Sequence, residues 1–416
     1  MSTEEAPIGS SAASSPGEAM RYASVTDRLA GLGGDKWAVH HTGRRRAAAG
    51  EDLIFLSIGE PDLAPPAAVL ETAVQSLRSG RTKYSAAQGD SAALRAIADH
   101  YTRRSGLAVL PSQVVYTAGT QNALATAMTA LVEMGDEVLV PDPYYATYEA
   151  VVAAPGATFV PVTTLPEDGF HLRPEALEAA ITERSRVLLL NTPSNPTGAV
   201  LSANEIDAIG EVCIRHNLWI VCDEVYADMT YDAPFASPFD RPQLRDRSVS
   251  VASISKSHAL PGFRAGWAAG PVPFAARLTA VVEAMLFGSQ PFLADAVVTA
   301  LSVRHPEVDR LAAEFRRRAE ALVAALRDCP AVGIRMPEGG MFGLLDVRGT
   351  GLSGEQFAWR LLDEQKVVVM PGESFGSAGR GHVRIALTVD CDTISEASRR
   401  IAESAMSLTP AGPPVS

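Results

Sequence analysis

Between residues 110 and 260 the chain alternates short apolar runs with segments of helical length. The runs at 113–116, 137–140, 158–162, 187–190, 219–222 and 249–254 show little polar alternation, the pattern of strands buried on both faces. Strands spaced by helices predict βα repeats and a largely parallel sheet covered by helices. Ser202 and Glu205 form a capping box at the start of one such helix. Upstream, the apolar run 52–58 ends in Gly59-Glu60-Pro61-Asp62, the turn chemistry of a strand exit, and a helix is expected from about Pro65. Past residue 300 a long charged amphipathic helix spans 307–327. Strands are expected at 341–347, 367–370 and 382–387, with capping boxes at Ser353/Gln356 and Thr393/Glu396. The chain therefore reads as α/β, with a flexible arm and first helix over 1–50, a large domain over 51–300, a smaller α/β domain over 301–408 and a tail over 409–416. No internal repeat or coiled coil interrupts this division.

Composition narrows the function classes. The 416 residues are 47% apolar and 20% charged, enough for two or three packed cores and too apolar for a mainly disordered chain. Thirty-six basic against 48 acidic residues give a net charge of −12, which disfavours nucleic acid and anionic membrane as partners. The basic triplet Arg44-Arg45-Arg46 reads as a solvated helix end. Four scattered cysteines without a CxxC pair predict neither a disulfide framework nor a zinc site. No run approaches the ~20 apolar residues of a membrane span, and residues 1–17 lack the pattern of a signal peptide. A soluble, cytoplasmic protein is expected.

Candidate chemistry gathers where parallel strands end, the usual ligand side of such sheets. Gly119, Thr120 and Gln121 open a helix after a strand, which suits an anion cradle or an ordinary turn. The run Asn191 to Gly198 is dense in turn formers, and its Asn195-Pro196 bond is a candidate cis peptide that would aim an amide at the strand ends. Asp223 sits at the mouth of a buried strand, with Glu224 and Tyr226 beside it; helix capping is the plainer alternative for that carboxylate. Ser253-Ile254-Ser255-Lys256 ends another strand, with Arg264 downstream. A lysine at an apolar strand end loses its proton more readily and becomes a nucleophile, although most lysines are merely solvated. As a set these groups meet the needs of pyridoxal 5′-phosphate: an amine for an imine, an acid for the ring nitrogen, donors to the phenolic oxygen and a phosphate cradle.

The segment Ser253 to Gly266, with Asn191 to Gly198 and Asp223-Glu224-Val225-Tyr226 in the same order, resembles the class I/II aminotransferases of the fold-type I pyridoxal-phosphate enzymes. That resemblance runs from about residue 22 to about 405. It implies a mostly parallel seven-stranded sheet with a smaller C-terminal domain, and a ping-pong transfer of an α-amino group to a 2-oxo acid. By matching motif, Lys256 would attach the cofactor and shuttle the α-proton, Asp223 would hold the pyridine nitrogen, and Asn195 and Tyr226 the phenolic oxygen. Gly119, Thr120, Gln121, Ser253, Ser255 and Arg264 match the phosphate site, and Tyr145 the stacked ring. Arg384 matches the grip on the substrate α-carboxylate, with Gly59 and Asn195 also on the substrate side. Tyr84 matches a tyrosine that reaches the neighbouring phosphate in a homodimer with shared sites.

Segments 35–40, 285–290, 339–342 and 346–353 resemble, within that family, the arginine–pyruvate aminotransferases, so L-arginine and pyruvate are the leading substrates. A cationic donor calls for an acidic pocket group, for which Glu60 and Asp62 are the candidates. Aromatic or aliphatic donors, a lyase, cyclase or oxidase on the same scaffold, and a cofactor-sensing regulator are the rival readings. The regulator needs a DNA-binding domain that the residues before Glu51 are too few to supply, and no G-x-G-x-x-G supports a dehydrogenase.

Overall fold

A computed structural model describes residues 20–408. The expectations for 1–17 and for 409–416 lie outside the described residues. Thirteen strands are seen among them: β1 Ile54–Phe55, β2 Val114–Thr117, β3 Glu137–Asp142, β4 Thr158–Thr163, β5 Ser185–Asn191, β6 Trp219–Asp223, β7 Ser248–Ser253, β8 Gly266–Ala269, β9 Gly333–Ile334, β10 Phe342–Asp346, β11 Val367–Val368, β12 Met370–Pro371 and β13 His382–Ala386.

Seven of these form one sheet in the order β2-β8-β7-β6-β5-β3-β4. All pairs are parallel except those made by β8, which runs antiparallel to β2 and β7. Strands β2, β6, β7 and β8 are buried along almost their whole length, the small serines of β7 included, as a sheet covered on both faces requires. The periodicity reading missed β8. Its sequence Gly-Trp-Ala-Ala has no β-branched residue, so the strand is held by its two neighbours more than by propensity.

The register places functional positions side by side. Asn191 lies opposite Asp223, and Asp223 opposite Val251, so the carboxyl ends of β5, β6 and β7 form one rim. A second, antiparallel sheet runs β12-β13-β10-β9, with Arg384 of β13 between Leu344 and Met370. Strand β1 pairs in parallel with β11, joining the segment before Gly59 to the C-terminal part of the chain.

The long helix is Pro306–Leu326. The capping boxes at Ser202/Glu205 and Ser353/Gln356 are formed. That at Thr393/Glu396 is not: the helix begins at Cys391, and Asp390 caps it by accepting from Thr393 N at 2.7 Å. An aspartate three residues earlier satisfies the free amides and carries charge suited to the helix start. No described helix is long and apolar enough to cross a membrane.

Candidate active site

A cavity of about 470 Å3 opens over the rim of the large sheet. Gly59, Thr120, Gln121, Tyr145, Asn195, Asp223, Tyr226, Ser253, Ser255, Lys256, Arg264 and Arg384 all line it. Gly119 lies just behind, and Tyr84 stands elsewhere, 87% exposed and packed edge-on against Phe287 at 5.1 Å.

Each group is fixed by the element that carries it. The helix Thr120–Leu131 starts at the end of β2 after Gly119, whose φ of +84° belongs to the left-handed region. A Cβ at Gly119 would sit 2.6 Å from Arg264 Nη2, so only glycine leaves room for this guanidinium. Arg264 is anchored by Nη1 to Pro261 O at 2.8 Å and Nη2 to Ala118 O at 3.3 Å. Thr120 Oγ1 donates to Ser253 Oγ at 2.9 Å, which ties the helix start to the end of β7. Hydroxyls, helix amides and a guanidinium therefore converge on one corner, the chemistry that holds a phosphate.

Asp223 is buried at the end of β6. Its Oδ2 accepts from the Tyr148 hydroxyl at 2.8 Å and its Oδ1 from Val225 N at 3.1 Å. Burial raises its pKa to about 6, against the lowering effect of those two bonds. Tyr148 escaped the sequence reading; its one signal was a third aromatic one turn beyond Tyr145, whose carbonyl accepts from Tyr148 N at 2.9 Å. Burial likewise pushes the Tyr226 hydroxyl far up, while its hydrogen bond to Asn195 pulls the other way. The Asn195-Pro196 bond is cis, as are Thr192-Pro193 and Asp142-Pro143.

Lys256 Nζ donates to Gly59 O at 2.5 Å. Burial lowers its pKa to about 8, Glu60 opposes that shift, and the Arg384 and Arg264 charges add to it. A larger share of this amine is therefore unprotonated near neutrality than of a solvated lysine.

Arg384 is 1% exposed. Its Nη1 donates to Asn195 Oδ1 at 2.9 Å and its Nη2 to Ser57 O, while the buried Nε has no hydrogen-bond partner among the described residues. The guanidinium lies between the rings of Phe342 and Phe375, 4.3 and 4.5 Å from their centroids. Burial lowers its pKa to about 10. Among the described residues no carboxylate pairs with it, so a buried, oriented cation faces the cavity; an incoming carboxylate would supply the missing charge.

Of the two acids proposed to read a cationic side chain, only Glu60 lines the cavity. Asp62 is committed to Arg318, accepting from Nη1 at 2.7 Å and Nη2 at 2.8 Å. A buried arginine needs that partner, which withdraws Asp62 from the candidate set. Trp37 and Phe342 also line the cavity, neither of them foreseen as a site residue.

Comparison with known proteins places this geometry. The family described as aminotransferase class I and II matches residues 51–401. The chain belongs to that family. It is accordingly a transaminase. It is 42% identical over 389 residues to the arginine–pyruvate transaminase of Pseudomonas aeruginosa, covering 94% of this chain and 99% of that one. An aspartate aminotransferase of Geobacillus stearothermophilus is 32% identical over 371 residues, covering 88% and 94% of the two chains. Among solved structures, the Thermus thermophilus aspartate aminotransferase with maleate superposes with a TM-score of 0.87 at 30% identity, covering 92% of this chain and 100% of that one. The Rhizobium meliloti aspartate aminotransferase gives a TM-score of 0.89 at 30% identity, covering 93% and 99%. These likenesses make the fold that of the fold-type I aminotransferases.

Proposed function

We propose that the chain is a pyridoxal-phosphate transaminase that takes the α-amino group of L-arginine and delivers it to a 2-oxo acid such as pyruvate. The observation that carries the cofactor is the joint placement, in one cavity, of a buried amine with depressed proton affinity and a buried carboxylate, beside a corner of hydroxyls, helix amides and Arg264. The donor set fits the group: Lys256 to anchor it, Asp223 to face its ring nitrogen, Asn195 and Tyr226 to bond its phenolic oxygen. Gly119, Thr120, Gln121, Ser253, Ser255 and Arg264 would hold its phosphate, and Tyr145 would stack on its ring. When bound, the cofactor supplies an electron sink for the pair released from the donor's Cα–H bond.

The chain's own residues then have defined work. Arg384 orients the donor by its α-carboxylate, the planar fork making two parallel hydrogen bonds. Lys256 Nζ is the base placed to take the α-proton, a role that its lowered pKa suits. Asp223 keeps a negative charge at the cavity floor, where Tyr148 holds its orientation. Arginine as donor is supported by the 42% identity to an arginine–pyruvate transaminase and by Glu60, an acid at the cavity wall that has no hydrogen bond or ion pair among the described residues. A homodimer is supported by Tyr84 and Phe287, two exposed aromatic side chains packed edge-on against each other.

A half-reaction screen tests this reading. Purified cofactor-loaded protein is mixed with single amino acids while absorbance follows conversion to the pyridoxamine form. Conversion by arginine is expected. Conversion only by aromatic or aliphatic donors would replace the substrate, and ammonia release without an oxo-acid acceptor would favour a lyase.

A further inference from the structure

Trp37 is a cavity-lining aromatic that none of the roles above uses. It ends the short turn Asp35–Trp37, and that turn is pinned from two sides. Ser374 Oγ donates to Lys36 O at 2.8 Å, and Lys36 Nζ bonds Glu149 Oε2 at 2.6 Å, while the other oxygen of Glu149 accepts the Tyr144 hydroxyl. The indole packs on the buried trio Ala146, Met370 and Phe375, and Phe375 is one of the two rings around Arg384. It is therefore a fixed wall beside the carboxylate grip.

Charge gives this wall a purpose. The cavity already holds Lys256, Arg264 and Arg384, against Asp223 and Glu60. A donor with a cationic side chain adds a further positive charge, which needs, beside the Glu60 carboxylate, a partner that does not itself demand desolvation. An aromatic face provides one, and a flat guanidinium stacks on indole better than on any other ring.

Resting on the arginine reading above, we infer that Trp37 is the residue that reads the donor's side chain, taking the guanidinium against its indole while the Glu60 carboxylate supplies the countercharge. The segment 35–40 thereby gains a function, selecting flat cations over neutral chains of the same length.

The test compares wild type, Trp37→Leu and Trp37→Phe as holoenzymes, with kcat/KM measured for arginine, for its neutral isostere citrulline and for alanine. Trp37→Leu should lose arginine roughly 5- to 30-fold more than citrulline or alanine, as expected for one desolvated cation–π contact, and Trp37→Phe should fall between. Guanidinovalerate, which lacks the reacting amine, should quench tryptophan fluorescence in wild type and not in Trp37→Phe. An equal fall for all three donors, or an unaltered preference for arginine, would overturn the inference while leaving the arginine assignment standing. Failure of wild type to convert arginine at all would remove both.

Discussion

The Tyr148 hydroxyl donates to Asp223 Oδ2 across 2.8 Å, between two side chains that are both buried. That bond favours the charged carboxylate, whereas the surrounding burial opposes it. Replacing Tyr148 by Phe removes the donor and should raise the Asp223 pKa above about 6. Cofactor affinity should weaken roughly tenfold, in line with a hydrogen bond to a charged group. Titration of pyridoxal-phosphate binding against pH in the variant and the wild type checks this, with the larger deficit expected on the acid side.

The burial of Lys256 has a consequence for stability. Its pKa is about 8 in the folded chain, below the usual lysine value of 10.5. Between those values the unfolded chain binds more protons, so stability rises as pH increases through this window. Below about pH 8 the folded chain bears the full cost of a buried ammonium. Lys256→Met should therefore stabilise the cofactor-free protein at pH 7, on the order of 1–2 kcal/mol, with the gain shrinking toward pH 10.5. Thermal melts of both apo proteins across that range test it; activity should be abolished.

Arg384→Lys keeps the charge and loses the planar fork stacked between Phe342 and Phe375. Specificity for amino-acid donors should fall roughly 10²- to 10³-fold. The matching amine without a carboxylate should be an equally poor donor for both proteins. A variant that lost the amine and the amino acid alike would show damage to the cavity and not a missing carboxylate contact.

Gly119→Ala places a methyl 2.6 Å from Arg264 Nη2 on a backbone with φ of +84°. Arg264 must move, and the strained backbone adds about 1 kcal/mol. The dissociation constant for pyridoxal phosphate should rise about tenfold or more, while inorganic phosphate in the millimolar range should protect the variant less well than the wild type against heating.

Much of this site was legible because strand ends are marked in sequence by the switch from apolar run to turn formers. Asp223 and Lys256 each follow such a run, and the structure brings both to one rim. Trp37 and Tyr148 were not legible. Trp37 enters the cavity from a short turn and Tyr148 from the first residue of the helix Tyr148–Ala153, and the position of each depends on distant partners, Ser374 for one and Asp223 for the other. Asp62 misled for the same reason: its claim by Arg318 joins residues far apart along the chain. Strand β8 was hidden because its antiparallel pairing follows from tertiary context and not from its four small or aromatic residues.

The pairing of Ile54 with Val367 also fixes an order of events during synthesis. Ribosomes add about 5–20 residues per second, so a strand made early waits tens of seconds for its neighbour. Until then the nascent polypeptide presents an unsatisfied edge together with the neighbouring apolar Leu56, and chaperone binding at residues 52–58 is the event to look for on stalled ribosomes.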